Sequence, residues 1–156
     1  NTHCHIDHIL GNKFTNKEWN IELHIHKEDL PLLEHASNIS ETYGLKEYQE
    51  SPYPKFFLDE GDKINFGKSN FEILFTPGHA PGHICLYNKD NNMLIAGDVI
   101  FHGSIGRTDL PAGDHTTLIK SIKDKIFTLP KKTEIFCGHG PSTNLEFEQK
   151  NNPFLQ

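Results

Sequence analysis

Hydrophobic and polar positions along the chain follow two patterns, one typical of strands and the other typical of helices. Short apolar or alternating runs, bounded by Gly, Pro, Asn or Asp, predict strands. The predicted strands are residues 21–25, 63–66, 71–76, 83–87, 93–96 and 134–137. Two turns join neighbouring strands, one at Asp90-Asn91-Asn92 and one within residues 65–70, where Asn and Gly favour tight turns.

Helical periodicity occupies two longer stretches between the strands. Residues 28–43 are predicted to form a helix that accommodates Pro31 in its first turn. Residues 114–129 are predicted to form an amphipathic helix with Asp114 as its N-cap. Its apolar stripe, which we assign to the core, consists of Leu118, Ile119, Ile122, Ile126 and Leu129.

Strands that alternate with helices predict an α/β domain, and a chain of 156 residues is long enough for one such domain, residues 1–156. No apolar run approaches the ~20 residues that a membrane helix needs. The first residues already belong to a motif and no initiator Met precedes them. We therefore expect that part of the natural chain is missing at this end.

Composition and charge exclude several classes of partner. The net charge of −6 is mild and the lysines are scattered, so we expect no nucleic-acid binding. The cysteines Cys4, Cys85 and Cys137 form no C-x-x-C pair, which favours reduced thiols in a cytoplasmic protein. Gly103 to Gly106 lacks the Lys and the spacing of a phosphate-binding loop.

The densest chemical signal is the motif T-H-C-H-I-D-H at residues 2–8, in a chain with 11 histidines. Chance matches to H-x-H-x-D-H are expected at roughly 0.003 per chain of this composition. In an extended segment His3 and His5 lie on the same side, so both imidazoles can reach one metal ion. Asp7 and His8 follow and can face a second ion.

Three further candidate ligands each come just after a predicted strand and next to glycine. His79 follows strand 71–76, Asp98 follows strand 93–96, and His139 follows strand 134–137. Ligands of open α/β sheets bind at the carboxyl ends of the strands. Because a carboxylate has two oxygens, Asp98 could bridge two metal ions that each keep an open position.

The order of these motifs resembles the metallo-β-lactamase superfamily. The matching segments are H-x-H-x-D-H, T-P-G-H-x-P-G-H at residues 76–83, G-D at 97–98 and G-H-G-P at 138–141. The segment F-x-G-S-I-G-R-T-D-L-P at 101–111 and the closing N-P-F-L at 152–155 are similar to the short glyoxalase II-like hydroxyacylglutathione hydrolases.

The resemblance implies a fold and a ligand set. The fold is the α/β, four-layer αββα sandwich, and the strands that precede the first motif in the family are absent here. The first site would consist of His3, His5 and His79, and the second of Asp7, His8 and His139, with Asp98 shared. The cofactors would be two divalent metal ions, with zinc expected and iron or manganese as alternatives. The incomplete sheet could support self-association.

The implied activity is metal-dependent hydrolysis of a small-molecule thioester such as a hydroxyacylglutathione, with Asp7 and Asp98 as the catalytic residues. A metal-activated hydroxide would attack the carbonyl, and a thiolate leaves with little need of protonation. One alternative is a mononuclear iron sulfur dioxygenase that uses His3, His79 and Asp98, and another is a noncatalytic metal-binding module. β-Lactamases with Cys at the position of Asp98, and diiron oxygen reductases with Glu at that of His5, are less favoured.

Other polar residues receive structural interpretations. His83 is expected to pack behind the site, and Arg107 and Asp109 are expected to pair and brace the Asp98 loop. The remaining histidines are interpreted as surface residues; they are His24, His26, His35, His102 and His115.

Overall fold

A six-stranded mixed sheet organises the fold in the computed structural model, which describes residues 1–156. The strands are β1 His24–Ile25, β2 Phe56–Phe57, β3 Lys63–Phe66, β4 Ser69–Phe75, β5 Ile84–Asn88, β6 Met93–Gly97, β7 Ile100–Phe101, β8 Ser104–Ile105, β9 Glu134–Cys137 and β10 Thr143–Asn144. The α-helices are α1 Ile6–Ile9, α2 Asn12–Trp19, α3 Leu30–Glu34, α4 Ala36–Thr42, α5 His115–Ser121 and α6 Leu145–Asn151.

Strand directions in this sheet bring three strand ends to one edge. The order is β10-β9-β6-β5-β4-β3. The strands β4, β5 and β6 are successively antiparallel, and β6 pairs with β9 in parallel. The strands β4, β6 and β9 therefore run in the same direction, and the loops that follow them lie at the same edge.

One face of the sheet is covered by helices. The α5 helix continues as a π-helical turn at Ile122–Ile126, and together with α6 it packs on this face. The strand residues on this side include Leu74, Cys85, Leu94 and Ala96, all buried. They form one core with the helical residues Leu118, Ile122, Ile126 and Leu145. The apolar stripe predicted for residues 114–129 is thus core.

The opposite face carries a smaller apolar cluster and an open groove. Leu58, Ile73 and Ile84 are buried there. A groove of about 390 Å³ runs along this side, with Ile64, Leu86 and Ile95 in its lining, and these three are only partly buried. Apolar side chains on this face therefore retain contact with solvent.

The structure confirms the predicted strands and corrects the first helix. Strand 21–25 is reduced to the two residues of β1, whereas the other five predicted strands are present within two residues of their expected bounds. The predicted helix 28–43 is a 3₁₀ turn at Lys27–Asp29 followed by α3 and α4, which break at His35. Both predicted turns are present, with positive φ at Gly67 and Asn92.

One histidine was assigned wrongly. His26 is buried and its ring stacks on Phe75, with centroids 4.1 Å apart, so it is not a surface residue. Its Nδ1 accepts from the backbone N–H of Glu28 and begins the 3₁₀ turn. A histidine that caps a turn has no distinctive pattern in sequence.

None of the helices combines the length and the apolar character that crossing a membrane requires.

Candidate metal centre

The first motif enters the site as an extended segment followed by one turn of helix. The carbonyl of Thr2 accepts from the backbone N–H of Ile84, which fixes this segment at the start of β5. His3 and His5 belong to the extended part, and α1 carries Asp7 and His8. The turn brings all four side chains to the edge where β4, β6 and β9 end.

Glycines let the strand-end loops approach closely. Gly78, at φ 134°, lies so near the backbone of Leu118 in α5 that a Cβ would overlap it. Gly97, at φ 48°, leaves room for His83, whose Nε2 would lie 2.6 Å from a Cβ at this position. Larger residues here would displace the loops that carry His79 and Asp98.

The residues predicted for the first site lie together. His5 Nδ1 is 2.9 Å from His79 Nε2. The ring of His3 lies 4.9 Å from each of their rings, centroid to centroid. One potential ligand atom from each of these three histidines falls within 4.8 Å of the others, which is close enough to hold one ion.

The residues predicted for the second site lie beside the first. His139 Nε2 is 3.2 Å from His8 Nε2 and 3.1 Å from Asp7 Oδ2. These three side chains form another group with ligand atoms within 4.8 Å of one another. Six of the seven residues predicted as ligands are thus placed in two adjacent groups.

Asp98 stands between the two groups. Its Oδ2 is 3.5 Å from His79 Nε2 and 3.4 Å from His139 Nε2, while its Oδ1 is 3.4 Å from His8 Nε2. One carboxylate therefore reaches histidines of both groups, which is the placement required of a shared ligand.

Two buried polar atoms without hydrogen-bond partners indicate that the side chains of the site suit metal ions. His3 Nε2 and Asp98 Oδ1 are buried and have no hydrogen-bond partner. Burial of an unpaired polar atom costs about 1–3 kcal/mol, and coordination of a cation would offset that cost. The donors are imidazole nitrogens and carboxylate oxygens, which suit zinc and other first-row divalent ions. The residues present therefore fit divalent metal ions.

Exposure increases across the cluster. His3, His79 and Asp98 are buried, whereas Asp7 and His139 are exposed. The second group therefore forms the rim of the site, and a substrate can approach from that side.

Burial and neighbouring histidines keep most of the imidazoles neutral. Burial, reinforced by His79, lowers the pKa of His5 to about 4, and burial likewise lowers the pKa values of His3 and His79. Neutral imidazole is the form that binds a metal ion.

His8 and Asp98 stabilise each other in charged forms. Burial alone lowers the pKa of His8, but the carboxylates of Asp98 and Asp7 outweigh burial and raise this pKa overall. Burial alone raises the pKa of Asp98, but His8, His79 and His139 outweigh it, so this pKa is lowered overall. Asp98 is consequently a carboxylate at neutral pH, as a metal ligand must be.

His83 packs behind the site, as expected. It is fully buried, its Nε2 accepts from the backbone N–H of Asp98 at 3.0 Å, and its Nδ1 lies 3.2 Å from Thr76 Oγ1. Burial lowers the pKa of His83 to about 3, so the ring is neutral and accepts at Nε2. The ring therefore holds the Asp98 backbone and has no free nitrogen for an ion.

The Arg107–Asp109 pair forms, but it does not contact the Asp98 loop through its side chains. The guanidinium donates to both Asp109 oxygens at 2.7 Å, and both side chains are exposed. The contribution of this segment comes from the backbone, where the carbonyl of Arg107 accepts from His79 Nδ1 at 2.7 Å. That bond leaves His79 Nε2 free to face the cluster.

Sequence reasoning missed Asp29, whose carboxylate is buried between two segments that carry site residues. It falls within the predicted helix 28–43, where an acidic residue in the first turn suggests only a favourable charge. Nothing in the local sequence distinguishes it.

Comparisons with known proteins agree with this geometry. The sequence profile described as the metallo-beta-lactamase superfamily matches residues 1–139. A protein of Bacillus subtilis named "Probable metallo-hydrolase YqgX" is 42% identical over 155 residues, which cover 99% of this chain and 73% of that protein. Hydroxyacylglutathione hydrolase GloC of Haemophilus influenzae is 36% identical over 155 residues, with the same coverage of both proteins.

Solved structures show the same fold. BLEG-1, described as a B3 metallo-beta-lactamase, superposes with a TM-score of 0.90 at 36% identity, over 99% of this chain and 74% of that one. TTHA1623 in a di-iron-bound form gives a TM-score of 0.90 at 38% identity, over 99% and 75%. ETHE1 from Myxococcus xanthus, at 23% identity and a TM-score of 0.76 over 97% and 59%, shares the fold.

Proposed function

The chain belongs to the metallo-β-lactamase superfamily, and we propose that within it this protein is a thioester hydrolase that acts on a hydroxyacylglutathione or a similar small molecule. The proposal assigns one metal ion to His3, His5 and His79 and a second to Asp7, His8 and His139. Asp98 is shared between the two ions.

The observation that carries this proposal is the position of Asp98. Its two oxygens lie within 3.5 Å of histidines from both groups. An acidic residue placed between two trios of ligands supports a centre for two ions, which is suited to hydrolysis.

Divalent ions bound here would lower the pKa of water and polarise a carbonyl, which supplies a nucleophile at neutral pH. The chain's own residues provide the setting. The three histidines of the first site are neutral donors, Asp98 is ionised, and His83 fixes its backbone. Asp7, exposed at the rim and 3.1 Å from His139, would hold the second ion and help to orient its water. A thiolate leaving group, with a pKa near 8.5, needs no strong acid.

We propose zinc as the metal, with iron or manganese as alternatives. Imidazole and carboxylate donors accept all three ions. The related TTHA1623 was solved in a di-iron-bound form, which supports keeping iron in the test. We also propose a cytoplasmic location, supported by three free cysteines of which two are buried.

The test is hydrolysis of S-lactoylglutathione by the purified chain loaded with Zn²⁺, Fe²⁺ or Mn²⁺. Asp98→Ala should lower turnover by more than about 100-fold, since loss of supporting residues around a metal already costs 10–100-fold. Asp124→Ala, an exposed carboxylate on the π-helical turn, is the matched control and should retain wild-type turnover. Turnover by Asp98→Ala equal to wild type would rule out a shared carboxylate.

A second candidate function is hydrolysis of β-lactams. The similarity to BLEG-1, which is described as a B3 metallo-beta-lactamase and is 36% identical over 99% of this chain, favours it. Assays with the thioester, with nitrocefin and with a glutathione persulfide separate thioester hydrolysis, β-lactam hydrolysis and the sulfur dioxygenase activity. The proposal requires the thioester to have the highest kcat/KM; oxygen consumption with the persulfide would favour a dioxygenase.

A further inference from the structure

Asp29 is a buried carboxylate outside the seven-residue cluster. It lies in the 3₁₀ turn Lys27–Asp29 and has no exposed surface. Its Oδ2 accepts from the backbone N–H of Cys4 at 2.7 Å, and its Oδ1 accepts from the backbone N–H of Gly82 at 2.5 Å. Both oxygens are therefore used by backbone groups that are 78 residues apart in sequence, from 4 to 82.

These two backbone groups belong to the segments that carry the first site. Cys4 lies between His3 and His5, and Gly82 lies in the loop of residues 76–83, which also carries His79. The same carboxylate thus holds the extended motif and the strand-end loop at a fixed separation. The His5 and His79 nitrogens, 2.9 Å apart, depend on that separation.

The surroundings of Asp29 leave little freedom for adjustment. A Cβ at Gly82 would lie 2.7 Å from Asp29 Oδ1, so glycine is required for the loop to approach the carboxylate. Burial raises the pKa of Asp29 to about 6, although the Gly82 and Cys4 N–H groups oppose this, so the group is a carboxylate above that pH. An amide at this position keeps one acceptor oxygen and turns its NH2 donor toward the other backbone N–H, which then loses its acceptor.

We propose that Asp29 is a positioning residue that sets the placement of His3, His5 and His79 relative to one another and thereby the affinity of the first site for a divalent cation. This inference rests on the proposed two-metal function. It assigns Asp29 no contact with metal or substrate.

The experiment measures binding of Co²⁺ alone, by its visible absorption, in two parent variants. His139→Ala removes a ligand of the second site and leaves the first, whereas His5→Ala does the opposite. Asp29→Asn added to His139→Ala should weaken Co²⁺ binding by about 10–100-fold, the range measured for residues that support metal ligands. Added to His5→Ala, the same change should weaken binding by less than about threefold.

Glu28→Gln is the matched control, since it removes a charge from the neighbouring, exposed residue. It should leave Co²⁺ binding unchanged in both parents. Equal weakening by Asp29→Asn in the two parents would mean a general loss of structure, and no weakening in either would mean that Asp29 is not needed; both results would overturn the inference.

The experiment distinguishes failure of the proposed function from failure of the inference about Asp29. If the wild-type chain binds no Co²⁺, the two-metal proposal and this inference fall together, whereas two Co²⁺ ions bound with the same affinities in wild type and Asp29→Asn would remove the inference alone. If circular dichroism shows that Asp29→Asn does not fold, Gly82→Ala displaces the carboxylate from the other side. It must give the same contrast between the two parents for the inference to stand.

Discussion

Glycine residues decide how closely the polar side chains of the site approach one another. A Cβ at Gly138 would overlap Asp98 Oδ1 and would lie 3.0 Å from a carbon of the His8 ring. The backbone N–H of Gly138 also donates to the carbonyl of Gly97 at 2.7 Å. The residue before His139 therefore forms part of the wall that holds the Asp98 carboxylate.

Gly138→Ala should reduce thioester hydrolysis by more than about tenfold, because the added methyl group displaces the shared carboxylate from its place between the two sites. The expected loss is in kcat and in metal content, with the secondary structure retained. Gly11→Ala is the control, since a Cβ there meets nothing within 4 Å. Wild-type metal content in Gly138→Ala would show that the added methyl group does not displace the Asp98 carboxylate from its position between the two sites.

The residues of the site differ in how well the sequence predicts them. His3, His5, Asp7 and His8 form a dense motif, and the other three follow strands next to glycine, so their common location could be predicted. Asp29 and the carbonyl of Arg107 could not, because they act through backbone hydrogen bonds that depend on tertiary packing. A side chain that binds a distant backbone N–H leaves no periodic signal.

At the scale of elements, alternation predicted the strands better than periodicity predicted the helices. The strands β3 and β9 have the expected bounds, and their backbones pair in register with β4 and β6. The helix expected at 28–43 breaks at His35, where φ −89° and ψ 0° depart from helical values. The helix expected at 114–129 widens into a π-helical turn after α5, a local change that a 3.6-residue period does not reveal.

The last helix is attached by a buried carboxylate. Glu148 of α6 is fully buried and accepts from the backbone N–H of Gly103, from Thr143 Oγ1 and from Asn152 Nδ2. These bonds join α6 to the turn between β7 and β8. Phe101, at the start of that turn, has its ring 6.2 Å from the ring of His139, so the attachment extends to the rim of the site.

Glu148→Ala should lower the free energy of unfolding by about 3 kcal/mol, because three donors, two of them on the buried residues Thr143 and Asn152, lose their acceptor. Urea unfolding followed by circular dichroism measures the change. Glu146→Ala, in the same helix, removes only an exposed pair with Lys150 and should leave the unfolding free energy nearly unchanged. Equal stability of the two variants would contradict the role given to Glu148.

At the scale of the whole molecule, the sheet has one covered face and one face with an open apolar groove. The groove includes Ile64, Leu86 and Ile95, each partly buried. Apolar surface of this kind promotes association. The apolar stripe of residues 114–129 predicted that this helix packs in the core. The exposure of the other face depends on which elements cover the assembled sheet, and no local pattern in the sequence gives it.

We expect the 156-residue chain to self-associate through this groove, with an apparent mass in light scattering that rises with protein concentration. Leu86→Gln should reduce the association, since it replaces an apolar side chain in the groove. Phe154→Gln, which changes an exposed apolar residue that does not line the groove, should not. A constant monomer mass at all concentrations would contradict self-association through the groove.

The most direct test of the two-metal centre is the metal content of the chain, measured by elemental analysis after incubation with Zn²⁺ and exhaustive dialysis. The seven clustered side chains predict two ions per wild-type chain, and fewer than two in Asp98→Ala, because this carboxylate reaches histidines of both groups. A wild-type chain that retains a single ion, or the same two ions in Asp98→Ala, would contradict the shared centre.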